Sequence, residues 1–485
     1  MNYLIKYSPE MIIKSRPVRK SLAKQLRRNL GKQLRRLSQD IEVQGGWDHI
    51  EVVLPANHEH LQSQVEQVLA STQGICFFGR VQVHRVESLE EIFEHTLSVF
   101  QNRLAGKTLA VRCRRIGTHV FNSMDVEKFV GSGLIEKTEA AGVNLSQPDI
   151  TVKLEIRNDA LYVVEENKPG LSGFPLGTQD GVLSLVSGGF DSSVSSYLTM
   201  RRGLITHFCF FNLGVKAHEV AVKEVALYLW MRFGSTHSVK FVTVPFEGVF
   251  AEILEKVDNS QMGVVLKRMM LRAASRLAQK LNLEAIVTGE SIAQVSSQTL
   301  ANLSVIDKVT DVMTLRPLAM MEKQDIVDIA RKIGTEEFSA VIPEYCGVIS
   351  VKPTTRARMH KIEKQESRFD FSILDKALAN SVRESIHKLD LDTGAYNGDI
   401  RIAAQLRPDD IVLDIRHPDE EEQHPLIIPG NTVEKLPFYK LSSRFSDKPG
   451  EAAYLLYCGK GIMSKLHASY LRDEGFKNVG VYLPQ

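Results

Sequence analysis

The 485-residue chain has little cysteine (five residues) and less tryptophan (two). Five thiols spread over this length cannot make a disulfide scaffold, and none has the paired spacing of a zinc site. No run approaches the roughly 18 apolar residues of a membrane-spanning helix. The opening MNYLIKYSPEMIIK lacks the apolar core of a secretory signal. Net charge of one sign is also missing: 60 Lys and Arg face 58 Asp and Glu, leaving +2. There is no low-complexity tract, no internal repeat and no GxxxxGK[ST] loop, which excludes a Walker-type nucleotidase. Hydrophobic residues at 43% and charged residues at 24% are ordinary globular levels and exclude wholesale disorder. The length implies about three domains, and the expectation is a soluble, reducing, cytoplasmic setting with no membrane partner.

What is present is unevenly placed. Between Lys14 and Arg36 lie ten basic residues and no acidic one. Leu22, Leu26, Leu30, Leu34 and Leu37 recur at spacings of four and three, which puts them on one helical face. Ser21 or Pro17 marks the predicted start of that helix. Such a helix buries leucine and offers water a dense cationic face, which points to a polyanionic partner. Ser88, followed three residues later by Glu91, opens a further predicted helix with a capping box. Val152–Ile156 and Ala160–Val164 alternate as a hairpin across Asn158-Asp159. From Gly181 onward, apolar strands at 181–186, 205–211, 239–244 and 285–288 alternate with helices at 193–202, 217–233, 262–281 and 323–333. That pattern predicts a doubly wound parallel α/β sheet. Residues 372–399 read as a helical then polar tether. Beyond it, short strands at 411–415 and 453–457 and a helix at 462–474 form a last α/β unit.

Ser187-Gly-Gly-Phe-Asp-Ser192 sits between the first strand and first helix of the central α/β unit. Its glycines let the backbone turn with no side chain between it and a ligand. Ser187, Ser192 and the free N–H groups of the helix start make an anion seat suited to pyrophosphate. Asp191 is placed to hold a magnesium ion or the nucleotide, and Lys267 to add a phosphate contact. Thr288-Gly289-Glu290 ends an apolar strand, where open α/β sheets hold ligands, and Gln298 lies in the loop beyond. No protein-built metal site is expected.

Cys458-Gly-Lys460-Gly-Ile-Met-Ser464 also joins a strand to a helix. Backbone donors at a helix start, with Lys460 nearby, stabilise a thiolate or persulfide anion. With Asp414-Ile-Arg416 upstream, this loop resembles that of a rhodanese domain. Cys346, in Pro343-Glu-Tyr-Cys-Gly-Val348, becomes a candidate resolving thiol once a persulfide-bearing partner exists, forming a transient disulfide. Cys76, Cys113 and Cys209 lie in apolar or strand settings and read as structural.

SGGFDS resembles the PP-loop of the ATP pyrophosphatases, which adenylate a substrate oxygen. With FFNLG at 210–214, LKRMM at 266–270, TGE at 288–290, QVSSQTL at 294–300, PEYCGVIS at 343–350 and the Cys458 loop, the whole chain resembles the tRNA uridine 4-sulfurtransferases, also called thiamine-biosynthesis sulfurtransferases. The resemblance implies a ferredoxin-like domain (1–60), a THUMP RNA-binding domain (61–167), a PP-loop domain (175–370), a linker (371–403) and a rhodanese domain (404–485). It implies ATP and Mg²⁺ as cofactors, with nucleotide contacts at Leu185, Val186, Ser187, Gly188, Gly189, Ser192, Lys267, Gly289 and Gln298. Catalysis would rest on Asp191, Cys458 and Cys346. The implied partners are tRNA, a cysteine desulfurase as sulfur donor and a small sulfur-carrier protein of thiamine synthesis; members of the family are often homodimers. His424–Asn431 (HPLIIPGN) only loosely matches the His-Ile-Pro-Gly turn of rhodaneses. Three other readings compete: a PP-loop enzyme adenylating a different substrate, an RNA-binding scaffold with vestigial loops, and a thiosulfate sulfurtransferase that needs no ATP.

Overall fold

The leucine spacing does form a helix. In the computed structural model it runs Arg16–Leu34 after Ser15, with Pro17 in the first turn, where a missing N–H costs nothing because it has no helical acceptor. Leu22, Leu26, Leu30 and Leu34 are buried, while Lys24, Arg27, Arg28, Lys32, Arg35 and Arg36 are exposed. Leu37 falls past the last turn and is half-buried against the same core.

The structure describes residues 1–46, 48–213, 216–339, 352–389 and 400–484. The last range excludes 417–420, 423, 438–440, 442–443, 449, 451, 460–463, 465–466, 469–470 and 473–474. The chain divides into two compact units, Met1–Thr178 with Arg201–Gly203, and Gln179–Met200 with Leu204–Gln485.

The first unit is built on nine strands: β1 (Asn2–Tyr7), β2 (Glu42–Gly45), β3 (His49–Val53), β4 (Ile75–Arg85), β5 (Thr108–Ile116), β6 (Gly142–Val143), β7 (Ile150–Arg157), β8 (Ala160–Val164) and β9 (Lys168–Pro169). They form one sheet in the order β2-β3-β1-β4-β8-β7-β5-β6, with β9 also paired to β4. The basic helix covers a core of Tyr3, Ile5, Ile50 and Val52, while Ile92, Val111, Val130 and Leu154 belong to a second core. Lys6 of β1 is ion-paired to Glu155 of β7. The predicted hairpin is β7–β8, with Arg157 opposite Ala160 and Asn158 at φ 54°, a left-handed conformation that Asn tolerates. Ser88 caps the helix Leu89–Phe100 by accepting from Glu91 N at 3.2 Å. The Glu91 carboxylate reaches Glu87 N at 2.7 Å rather than the Ser88 N–H, so one arm of the expected capping box closes elsewhere.

In the second unit, β10 (Gln179–Leu185), β11 (Leu204–Asn212), β12 (Lys240–Pro245), β13 (Ala285–Val287), β14 (Met313–Leu315) and β15 (Val382–Ser385) form a sheet in the order β14-β13-β10-β11-β12-β15. The first five are parallel, and their largely apolar character suits strands covered on both faces. Helices Phe190–Arg201, Lys216–Leu229, Met262–Lys280 and Lys323–Ile333 connect or cover them. The expected tether departs from prediction. Helix Phe371–Ala379 buries Leu374, Ala377 and Leu378, and β15 adds to β12 antiparallel. An apolar triplet at i, i+3 and i+4 is a packing face, which a free tether has no use for. A smaller parallel sheet follows, with β16 (Ile402–Ala403), β17 (Asp410–Asp414), β18 (Thr432–Lys435), β19 (Ala453–Tyr457) and β20 (Val479–Tyr482) in the order β16-β20-β19-β17-β18. The helix predicted at 462–474 lies largely outside the described residues. Among the described residues no helix is long and apolar enough to cross a membrane.

Leu30 is fully buried under the basic helix. Leu30→Ala should therefore cost the first unit about 2–5 kcal/mol, read as an earlier urea transition for that unit with the transition of the second unit unmoved.

Candidate active site

The strand order of the central sheet reverses at β10, whose neighbours are β11 on one side and β13 on the other. The carboxyl ends of β10 and β13 therefore open a crevice between them, the place where such sheets take ligands. A cavity of about 550 Å³ lies there. It is lined by Leu185, Val186, Ser187, Gly189, Asp191, Ser192, Lys267, Gly289 and Gln298, so all the expected nucleotide contacts but Gly188 border one space, together with Asp191.

The loop is held from within. Gly188 sits at φ 83°, a conformation that favours glycine. Ser192 Oγ accepts from Ser187 N at 3.2 Å and donates to Gly189 O at 3.1 Å, cinching the loop across the first turn of the helix Phe190–Arg201. Val186 N donates to Cys209 O at 2.9 Å, which ties the strand end to β11. Gly289 passes so close that a Cβ there would lie 2.6 Å from Asp191 C and 2.8 Å from Ser192 N.

Asp191 is held on both carboxylate oxygens. Oδ1 accepts from Lys323 Nζ at 2.7 Å and Oδ2 from Gln294 Nε2 at 2.8 Å. Lys323 also lies 5.6 Å from the centre of the Phe190 ring. Next to Gly289, Glu290 accepts from Lys267 Nζ at 2.7 Å, Arg316 Nε at 2.8 Å and Thr288 Oγ1 at 3.1 Å. Burial works to raise the Glu290 carboxyl, but Lys267 and Arg316 outweigh it and hold it down to about 2. Arg316 forks onward to both oxygens of Asp307, at 2.9 and 2.6 Å. Arg268, next to Lys267 in sequence, faces away: it is 1% exposed and grips Glu366 and Val305 O.

Lys323, Gln294 and Arg316 were not singled out from sequence. Lys323 opens an amphipathic helix more than a hundred residues after Asp191. Arg316 belongs to no motif, and Gln294 stands in QVSSQTL with no chemical reason to stand out until its partner is known.

Cys458 follows β19 and is 8% exposed, its Sγ accepting from Ser464 N at 3.3 Å and Ser464 Oγ at 3.0 Å. Upstream, Arg416 forks onto Asp414 at 2.8 and 2.5 Å, donates to His424 O at 2.8 Å, and lies 5.1 Å from the centre of the Tyr457 ring. Lys460 and Cys346 lie outside the described residues. Cys209 is fully buried in β11 and burial pushes its thiol far up; burial likewise pushes Cys113 up to about 11. Among the described residues no cluster of three or more His, Cys, Asp or Glu could hold a metal ion. A lone Asp191 still suits a magnesium ion carried in on phosphates, which needs only one or two carboxylates besides phosphate oxygens and water.

This is a PP-loop-type α/β site, joined to a basic α+β unit and a cysteine-bearing parallel sheet. The family model described as thiamine biosynthesis protein (ThiI) matches residues 177–371, and that of the THUMP domain matches 86–164. The chain is 50% identical to the tRNA sulfurtransferase of Saccharophagus degradans over 484 residues, and 48% identical to that of Shewanella piezotolerans, in each case covering all of both chains. It belongs to the tRNA sulfurtransferase family. Its fold is also that of a 4-thiouridine synthetase solved with RNA and bound ATP, at 23% identity and a TM-score of 0.68, covering 79% of this chain and 99% of that one. A Pyrococcus horikoshii protein matches at 17% identity and 0.51, covering 69% and 99%.

Two substitutions test the site. Gly289→Ala should displace the Asp191–Ser192 backbone and raise the KM for nucleotide at least tenfold, with circular dichroism unchanged. Glu290→Gln leaves Lys267 and Arg316 without their shared anion and should destabilise the second unit by about 3 kcal/mol at neutral pH. The wild-type contribution is present above the ordinary carboxyl value of 4.5 and is lost as pH falls toward 2. The gap between variant and wild type in urea melts should therefore narrow below pH 4.5.

Proposed function

We propose that the chain converts a uridine of tRNA, the one the family places at position 8, into 4-thiouridine. In this reading it adenylates the base oxygen and replaces it with sulfur carried on Cys458. The observation that carries the reading is the occurrence on one chain of a phosphate-loop cavity at a sheet switch point and a second strand-to-helix loop that seats a cysteine. The first chemistry makes an oxygen a leaving group, and the second delivers the atom that replaces it. The names of the full-length relatives, and the RNA and ATP bound by the structural neighbour, support the same conclusion.

ATP is a co-substrate consumed at each turnover. Its phosphates would lie against Ser187–Ser192 and the helix N–H groups, with Leu185, Val186, Lys267, Gly289 and Gln298 around the remainder. Asp191 would hold a magnesium ion brought by the triphosphate, which supplies charge neutralisation during transfer. Uracil O4 attacks the α-phosphorus, the bond to pyrophosphate breaks and the N3 proton passes to water. The terminal sulfur of a Cys458 persulfide, supplied by a cysteine desulfurase, then attacks C4, and AMP leaves. Ser464, donating twice to Sγ, stabilises negative charge on the sulfur. Cys346 thiolate attacks the Cys458 sulfur, expelling 4-thiouridine and leaving a Cys346–Cys458 disulfide that must be reduced by two electrons before the next turnover. In the alternative ending the Cys346 thiolate attacks the Cys458 sulfur first, forming the same disulfide and releasing sulfide, which then attacks C4 and expels AMP. A rhodanese-type role for the last unit would also feed sulfur, through a small carrier protein, to the thiazole of thiamine, in line with the description of the matching family model.

The direct test is thionucleoside analysis of unmodified tRNA incubated with purified protein, MgATP, cysteine and a cysteine desulfurase. Wild type should form 4-thiouridine in an ATP-dependent way, and Asp191→Ala and Cys458→Ala should each lose it by a factor of at least about 100. Pyrophosphate release without thiouridine would overturn the substrate. Neutralising Arg27, Arg28, Arg35 and Arg36 together should weaken tRNA binding and flatten the plot of log K against log salt by about three. An unchanged slope would make the basic helix a merely solvated face.

A further inference from the structure

Two cations share the Glu290 carboxylate, and they hold it differently. Lys267 Nζ donates to Oε1 at 2.7 Å, its only ion pair among the described residues. Arg316 Nε donates to Oε2 at 2.8 Å, while its two terminal nitrogens fork onto Asp307 at 2.9 and 2.6 Å. Thr288 Oγ1 adds a second donor to Oε2 at 3.1 Å. Each oxygen of the carboxylate therefore has its own cation. Lys267, Thr288, Glu290 and Arg316 all line the cavity.

Only one of the two cations is free to move. A lysine ammonium is a point charge on a flexible four-carbon stem, and Lys267 gives up a single contact when it leaves. A guanidinium is a rigid planar fork, and Arg316 cannot swing away without releasing two carboxylates at once. When Lys267 moves off, Oε1 loses its cation but Oε2 keeps Arg316 and Thr288, so the carboxylate is not left bare. Without Arg316 the same movement would strip an anion that is only 8% exposed of all positive charge, which is strongly unfavourable. Lys267 would then stay on Glu290.

Resting on the sulfurtransferase reading above, in which Lys267 meets the phosphates of ATP, we propose that Arg316 is a positioning residue for the nucleotide: it takes over the charge of Glu290 so that Lys267 can transfer to the phosphates. Arg316 itself touches no phosphate. Its influence on ATP runs through Lys267, and Glu290 is the anion for which the phosphates compete. Asp307, which ends the helix Leu300–Asp307, anchors Arg316 from the other side and keeps it from following Lys267. The exchange is also reversible, because Oε1 is open to take Lys267 back once pyrophosphate has left.

The test measures the dissociation constant of the full-length protein for α,β-methylene ATP with magnesium, an analogue that cannot be cleaved between its α and β phosphorus atoms. Urea melts of every variant run beside it. Lys267→Met should weaken binding at least about tenfold. Arg316→Met should weaken it by a similar factor, although it removes no phosphate contact. Added to Lys267→Met, it should cost less than about a further threefold, since residues acting through one contact are not additive. Glu290→Gln placed in the Arg316→Met protein should recover at least about fivefold, because a neutral amide no longer competes for the ammonium. A loss from Arg316→Met that persists in full in the Lys267→Met protein would overturn the proposal by making Arg316 a phosphate ligand in its own right. A loss that follows the melts and is not relieved by Glu290→Gln would overturn it by making Arg316 a prop for the fold. If the Arg316→Met, Glu290→Gln protein melts too early to assay, the cycle with Lys267→Met decides alone. Wild type that binds the analogue, with Lys267→Met weakened and Arg316→Met not, sinks this proposal alone. Wild type that fails to bind the analogue sinks the ATP-dependent reading and this proposal with it.

Discussion

The site depends on a close approach. The loop after β13 runs against the loop after β10 so tightly that a methyl group on Gly289 would sit 2.6 Å from the Asp191 carbonyl carbon. Nothing larger than hydrogen fits, and the two strand-end loops behave as one wall. The helix behind them allows this contact because its buried face is short: Ser192, Ser193, Ser195, Ser196 and Thr199 are all nearly or fully buried. Their hydroxyls are spent locally, Ser196 on Ser184 Oγ at 2.8 Å and Thr199 on Thr206 Oγ1 at 3.0 Å. Small, satisfied side chains bring the helix start down to the sheet end, where its free N–H groups face the cavity.

Once the loops are pressed together, the charges must be arranged so that they do not collapse onto one another. Lys267 and Arg316 share Glu290, while Lys323 shares Asp191 with Gln294. Each cation near the cavity therefore has an anion to rest on before any phosphate arrives. A triphosphate with its metal brings charges that compete for the same partners, so binding exchanges ion pairs rather than burying bare charge. The Arg268–Glu366–Arg272 group uses the same chemistry differently. It is turned into the protein, fixes the helix Met262–Lys280 to the helix Met359–Glu366, and leaves Lys267 as the one cation of that run lining the cavity.

Much of this was legible in sequence, for identifiable reasons. Four of the five parallel strands were readable because strands covered on both faces are largely apolar, whereas β14 is only three residues long and passed unread. The phosphate loop was readable because glycine and serine between such a strand and a helix have few other uses. The Cys458 loop was readable on the same grounds, and Ser464, within the quoted string, is the residue that donates to its sulfur. Lys323, Gln294 and Arg316 were not legible, because their meaning lies in a partner far away in the chain. A lysine at a helix start looks like any surface lysine until Asp191 is found beside it. The strand Val382–Ser385 escaped for a related reason: four residues, half of them charged, do not announce an edge pairing with β12. Cys209 and Cys458, read apart in sequence, are also set apart in three dimensions, one sealed inside a strand and the other facing two donors at a strand end.

The distribution of charge completes the division of labour. Ten of the 60 basic residues fall in one 23-residue stretch without an acidic neighbour. Sixty less ten leaves fifty against 58 acidic residues, so the remainder of the chain is net negative. A polyanion meeting this protein is attracted at the helix Arg16–Leu34 and on average repelled elsewhere, which concentrates encounter on one face of one unit. The leucines make that possible. Seven of these like charges lie on the helix itself and repel one another, and an isolated helix carrying them would fray. Leu22, Leu26, Leu30 and Leu34, buried against β1 and β3, supply hydrophobic stabilisation that the repulsion does not exceed. The cationic face is therefore held rigid by the apolar face beneath it, and a nucleic acid need not order the helix in order to bind to it.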